Sequence, residues 1–87
     1  MNRVYVVKMG SREFRGLISP GEMLDVVTVF YHHAERYSAK ADFLLSGELV
    51  ATKGEVTVSL MVGAPCLTMP SRLLEEVLEE VMEKAFQ

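Results

Sequence analysis

The chain holds a single cysteine, no tryptophan and three prolines in 87 residues. One cysteine, Cys66, leaves no internal disulfide and no cysteine-rich zinc site, and a reducing cytoplasm is the expected compartment. No uncharged apolar run approaches the roughly 18 residues that a membrane-spanning helix needs. Met1-Asn2-Arg3-Val4-Tyr5 lacks the apolar core of a secretory signal, so a cytoplasmic protein away from membranes is expected. A glycine-rich phosphate loop is missing as well: Gly10, Gly16, Gly21, Gly47, Gly54 and Gly63 are scattered, and none precedes Lys-Ser or Lys-Thr. Positive charge is sparse. A formal net charge of −3 argues against duplex nucleic acid as a partner, because phosphate neutralisation supplies most of that affinity.

What is present fits one small globular domain over residues 1–87, with 49% hydrophobic and 24% charged residues. Its charge is unevenly spread. Arg3, Lys8, Arg12 and Arg15 face only Glu13 in the first eighteen residues, whereas acids dominate the remainder. Val4–Met9 and Arg12–Ile18 flank Gly10-Ser11, a two-residue hairpin signal of type II′. That turn sets Val7 opposite Phe14 and Tyr5 opposite Gly16, with Tyr5, Val7, Met9 and Phe14 on one face. Lys8, Glu13, Arg15, Val4 and Val6 take the other face. Ser19 and Glu22 make a capping box around Pro20, and Met23, Val26, Val27, Phe30, Ala34 and Tyr37 recur at helical spacing, which predicts a helix over 20–37.

Ser46-Gly47 and Lys53-Gly54 read as tight turns between strands Ala41–Leu45, Glu48–Thr52 and Glu55–Val62. Those turns set Leu44 opposite Leu49, Ala51 opposite Val56 and Leu49 opposite Val58. The alternative is one long strand over 41–52 with a bulge at Ser46-Gly47. From about residue 70 to 86, Leu73-Leu74, Val77-Leu78, Val81-Met82 and Ala85-Phe86 step by four, with glutamates between them. This predicts an amphipathic helix with an acidic back. The expected fold is α+β: a mostly antiparallel sheet of four to five strands with two helices on one face, in the order ββ-α-βββ-α or ββ-α-ββ-α. The expected core is Val7, Phe14, Val27, Phe30, Leu44, Leu49, Val56, Val58, Leu60, Leu74, Leu78 and Val81.

Chemistry-bearing patterns are few. His32 and His33 are adjacent, so on a helix they point about 100° apart and cannot chelate one ion together. Asp25, His32 and Glu35 fall near one helix face, which without a second histidine reads as a solvated surface. Glu75, Glu76, Glu79, Glu80 and Glu83 share a uniformly polar face, whereas acid–base catalysis needs carboxyls in contrasting environments. Ser59 and Asp42 lack a nucleophile-elbow sequence. Tyr5 and Phe14, flanked by Arg3, Arg12 and Arg15, read as core rather than as a stacking platform for bases. Gly16-Leu17 before a proline and Ser46-Gly47 after a strand make the chain similar to the small phosphocarrier proteins. Ile18, however, stands where that family has its phosphoryl-accepting histidine, so no phosphoryl transfer follows from the likeness.

No catalytic residue, metal or cofactor is therefore assigned. With both helices on one face, a mixed apolar face is left over, and large apolar patches on monomers usually mark contact sites. The candidate interface residues are Phe43, Leu45, Val50 and Met61 on the sheet, with Glu76, Glu79 and Glu83 on the last helix. The expected function is a small non-catalytic interaction module that self-associates as a homo-oligomer or docks on a larger assembly. The alternative is a small-molecule sensor or regulatory subunit, with a methionine-rich pocket between sheet and helices or at a dimer seam.

Overall fold

A computed structural model describes residues 2–66 and 72–87, and a core cluster holding eight of the twelve expected residues forms between one sheet face and two helices. Seven elements follow in the order β1 (Arg3–Met9), β2 (Arg12–Ile18), α1 (Pro20–Arg36), β3 (Lys40–Phe43), β4 (Leu49–Lys53), β5 (Val56–Pro65) and α2 (Leu74–Phe86). The five strands form one antiparallel sheet in the order β2-β1-β5-β4-β3. The fold is α+β, with five strands rather than four. Helix α1 packs on β3 and β4, α2 packs on β5, β1 and β2, and the helices touch each other. Between them and the sheet lie Tyr5, Val7, Ile18, Leu49, Ala51, Val58 and Leu60, against Phe30 and Ala34 of α1 and Leu74, Leu78, Val81 and Met82 of α2.

Local chemistry explains the element ends. Gly10 (φ +61°) takes the first turn position, and β1 and β2 pair with Val7 opposite Phe14 and Tyr5 opposite Gly16, as the hairpin signal requires. The Tyr5 ring crosses Gly16 so closely that a Cβ there would stand 2.5 Å from the phenolic oxygen. Ser19 and Glu22 close the capping box in both directions, at 3.2 and 3.1 Å. At its other end α1 stops in a Schellman motif: Ser38 and Ala39 donate their N–H groups to Glu35 and Ala34, with Ser38 at φ +59° where glycine is usual.

The second half of the sheet departs from the expected register. Gly54 (φ +62°) and Glu55 are the turn residues, so Lys53 faces Val56 and Ala51 faces Val58. The shift is two residues, which keeps every side chain on its expected face but carries Val56 to the exposed end of the sheet. At the other turn the shift is one residue. Leu45, Ser46 and Gly47 (φ +90°) form a three-residue loop, with Leu44 N–H donating to Glu48 and Gly47 N–H donating to Leu44. A glycine in the left-handed region ending such a loop inserts one extra residue. Phe43, not Leu44, therefore pairs with Leu49, and Leu44 leaves the core and is 44% exposed. Phe14 and Val27 are half-buried, packed against the core cluster rather than within it. The last helix starts at Leu74; residues 70–71 of the expected helix lie outside the described residues. Leu73 (ψ 122°) is not helical, and the Arg72 carbonyl just before it accepts the Tyr5 hydroxyl at 3.0 Å.

Candidate functional site

Alternation along the strands dictates what the uncovered face presents. Leu17 of β2, Val4 and Val6 of β1, Met61 of β5 and Val50 of β4 point away from the helices, because their neighbours Ile18, Tyr5, Val7, Leu60 and Leu49 point into the core. Val4 is opposite Leu17 and Val6 is opposite Met61, so the apolar positions run as a continuous stripe across the sheet. Leu44, paired with Glu48 at the loop, extends it towards β3. Leu17 has the parity of Glu13 and Arg15 and so lies on this side of the sheet, but it is 5% exposed and is covered rather than open. Leu44 was expected in the core, and only the extra loop residue moves it here.

A charged group borders the stripe. Lys8 Nζ lies 3.5 Å from Glu13, and Arg15 holds the other Glu13 carboxylate oxygen at 3.0 Å. The hydrogen bond from Arg15 keeps the Glu13 carboxyl below its ordinary pKa, with the Arg15 and Lys8 charges adding to the effect. These side chains, with Val6, Met61, Ser59 and Glu48, line a shallow depression of about 160 Å³. Such a surface offers contact area and charge, but no desolvated carboxyl or activated nucleophile.

The seven candidate interface residues do not form one surface. Val50 and Met61 lie together on the open face. Phe43, by its pairing with Leu49, belongs to the helix side of the sheet, where it is 57% exposed at the sheet end. Leu45 stands at the loop apex in full solvent exposure. Glu76, Glu79 and Glu83 are exposed on the outer side of α2. Beside them Glu80 is engaged by its own chain, accepting from Arg72 at 2.6 Å and lying 3.4 Å from Lys84. The Arg72 hydrogen bond, more than the one from Lys84, lowers the Glu80 pKa.

A second place where titratable groups meet is the groove between the helices, lined by Glu22, Asp25, Val26, Val29, Leu74 and Glu75, also of about 160 Å³. Next to Glu75 sits His33, 2% exposed, with Nε2 3.6 Å from Glu75 Oε1 and neither ring nitrogen hydrogen-bonded among the described residues. Burial pushes the His33 pKa down, partly opposed by the Glu75 carboxylate, while Arg36 and His32 push it further down. The periodicity of α1 carries His33, three residues after Phe30 and seven after Val26, to the apolar side of the helix, but it gives no sign of the contact with Glu75. His32 is exposed on the same helix. Among the described residues, no group of three or more His, Cys, Asp or Glu side chains is placed to hold a metal ion. Cys66 is half-buried just beyond β5, where its backbone N–H donates to Asn2. No helix among the described residues is long and apolar enough to cross a membrane. Set against family models, curated proteins and solved structures, the chain finds no match.

Proposed function

We propose that this protein is a small, non-catalytic interaction module that self-associates or docks on a larger assembly through the open face of its sheet. One observation carries the reading. Both helices lie on one side of the sheet, so among the described residues the stripe from Val4 through Val6, Met61 and Val50 to Leu44 has no helix or strand packed over it. Apolar sheet surface of this kind gains free energy when a partner removes it from water, by about 25 cal/mol per Å² of apolar area. The flanking Lys8–Glu13–Arg15 group supplies orientation and association rate more than affinity. Among the described residues, the depressions between elements described above, near 160 Å³ each, are smaller than the roughly 300 Å³ where small-molecule pockets begin, and the larger hollows of about 330 and 380 Å³ are lined by side chains of α1 alone. That size supports a macromolecular partner over the small-molecule sensor. A cytoplasmic setting belongs to the same proposal. The test is the pair Val50→Ser and Met61→Ser, followed by light scattering and solubility. The expected outcome is lower scattering mass at high protein concentration with unchanged circular dichroism. Unchanged mass and solubility would remove the open face from the account.

A further inference from the structure

The sheet has two edges of different character. Strand β3 is four residues long, whereas β2 runs for seven and ends the sheet on the other side. An unprotected edge presents alternate backbone N–H and C=O groups ready to pair with another strand. Hairpin geometry fixes which groups these are. Met9 and Arg12 close a two-residue turn and so form a hydrogen-bonded pair; Arg12, Phe14 and Gly16 bond to β1, and Glu13, Arg15 and Leu17 direct their backbone groups outward.

We infer that β2 is a homodimerisation edge: it pairs antiparallel with β2 of a second copy, with Glu13 opposite Arg15 of the other chain and Phe14 on the two-fold axis. Charge selects this register. Antiparallel pairing must match outward-bonding residues on both strands, and a two-fold axis allows few ways to do so. One brings Glu13 opposite its own copy and another brings Arg15 opposite its own copy, each a like-charge contact on the same sheet face. A third sets Arg15 against Leu17 and shortens the ladder. Only the register centred on Phe14 matches opposite charges twice. It places Gly16, which has no side chain, opposite Arg12, and Phe14 against its own copy at a closely spaced pair. Arg12, Glu13 and Arg15 are exposed, and the Arg12 guanidinium lies 5.4 Å from the Phe14 ring centre. Within one chain Glu13 already binds Arg15, so pairing builds an alternating cluster of two carboxylates and two guanidiniums. The result is a ten-stranded sheet with both open faces on one side. This names the partner for the self-association half of the proposed function and rests on it.

The experiment is a charge swap read by sedimentation equilibrium. Glu13→Arg sets arginine against arginine across the axis, and Arg15→Glu sets glutamate against glutamate. Each variant is expected at the 9.7 kDa chain mass, while the wild type sediments at twice that value. An equimolar mixture of the two variants pairs arginine with glutamate at both positions, so the doubled mass returns. These exposed ion pairs contribute little to folding, and circular dichroism checks that both variants are folded. A monomeric wild type, single variants that keep the doubled mass, or a mixture that stays at chain mass would each overturn the inference. If the swaps do nothing while Val50→Ser and Met61→Ser dissolve the assembly, the edge is excluded and the open-face reading stands. The reverse pattern excludes the open face and leaves the edge in place.

Discussion

The two faces of the sheet are made by the same strands, yet they obey different rules. On the helix side, Tyr5, Val7, Val58 and Leu60 have lost their contact with water, and all four belong to the cluster that the helices close. On the open side, Val4, Val6, Val50 and Met61 alternate with them along the chain and keep part of their surface wet. Residues of the same type one position apart therefore do different work. On the buried side, shape and volume decide stability, because an interior packed to crystal-like density cannot close over a void. On the open side, shape hardly matters to the fold, and exposed apolar area is a resource for association.

The largest expected effect breaks this contrast directly. Leu78→Ala removes a fully buried side chain between α2 and the sheet, and should cost about 2–5 kcal/mol in urea-melt stability. Val50→Ala on the open face, read in the same melts, should cost well under that, about 1 kcal/mol or less. Equal losses would show that the open face is covered in solution. An intermediate effect belongs to Gly16→Ala. The new methyl group meets the Tyr5 ring, which must shift from its hydrogen bond with Arg72, and a loss of about 1–3 kcal/mol should appear in the same melts.

The smallest effect sharpens the comparison through pH. His33 is buried, with Glu75 facing it from α2 and His32 and Arg36 beside it on α1. Its folded pKa is depressed, so below the ordinary histidine value of about 6.5 the unfolded chain binds more protons than the folded one. Its contribution to stability is full above that value, falls as pH drops through the window beneath it, and levels off below the folded pKa. Urea midpoints at about pH 7.5 and about pH 5.5 should therefore differ in the wild type and differ less in His33→Leu. An undiminished pH difference in the variant would place the titrating group elsewhere.

Much of this architecture was legible in the residues. Ser19-Pro20-Gly21-Glu22 marks the start of α1, and Gly10-Ser11 fixes the first hairpin to the residue, because both signals act through neighbours in the chain. Eight of the expected core residues are buried: Val7, Phe30, Leu49, Val58, Leu60, Leu74, Leu78 and Val81. The errors cluster where one glycine can serve two turns. Gly47 as the second residue of a two-residue turn and Gly47 as the last of a three-residue loop have the same local sequence. They differ by one residue of register, and with it by the face on which Phe43 and Leu44 lie. Val50 and Met61 share the open side of the sheet, while the extra loop residue parts Phe43 and Leu45 from them.

The sequence by itself determined the order of elements and the inward faces of β1, β5 and α2. These follow from periodicity and capping, which are local. Only the tertiary structure decided that β1 sits centrally beside β5, which leaves β2 at an edge with Glu13 and Arg15 facing outward. Only packing buried His33 against Glu75, whereas both helices on one side of the sheet is the arrangement the residue pattern already led one to expect. Strand order is settled by which apolar surfaces fit together across the whole chain, and no local stretch of residues contains that choice.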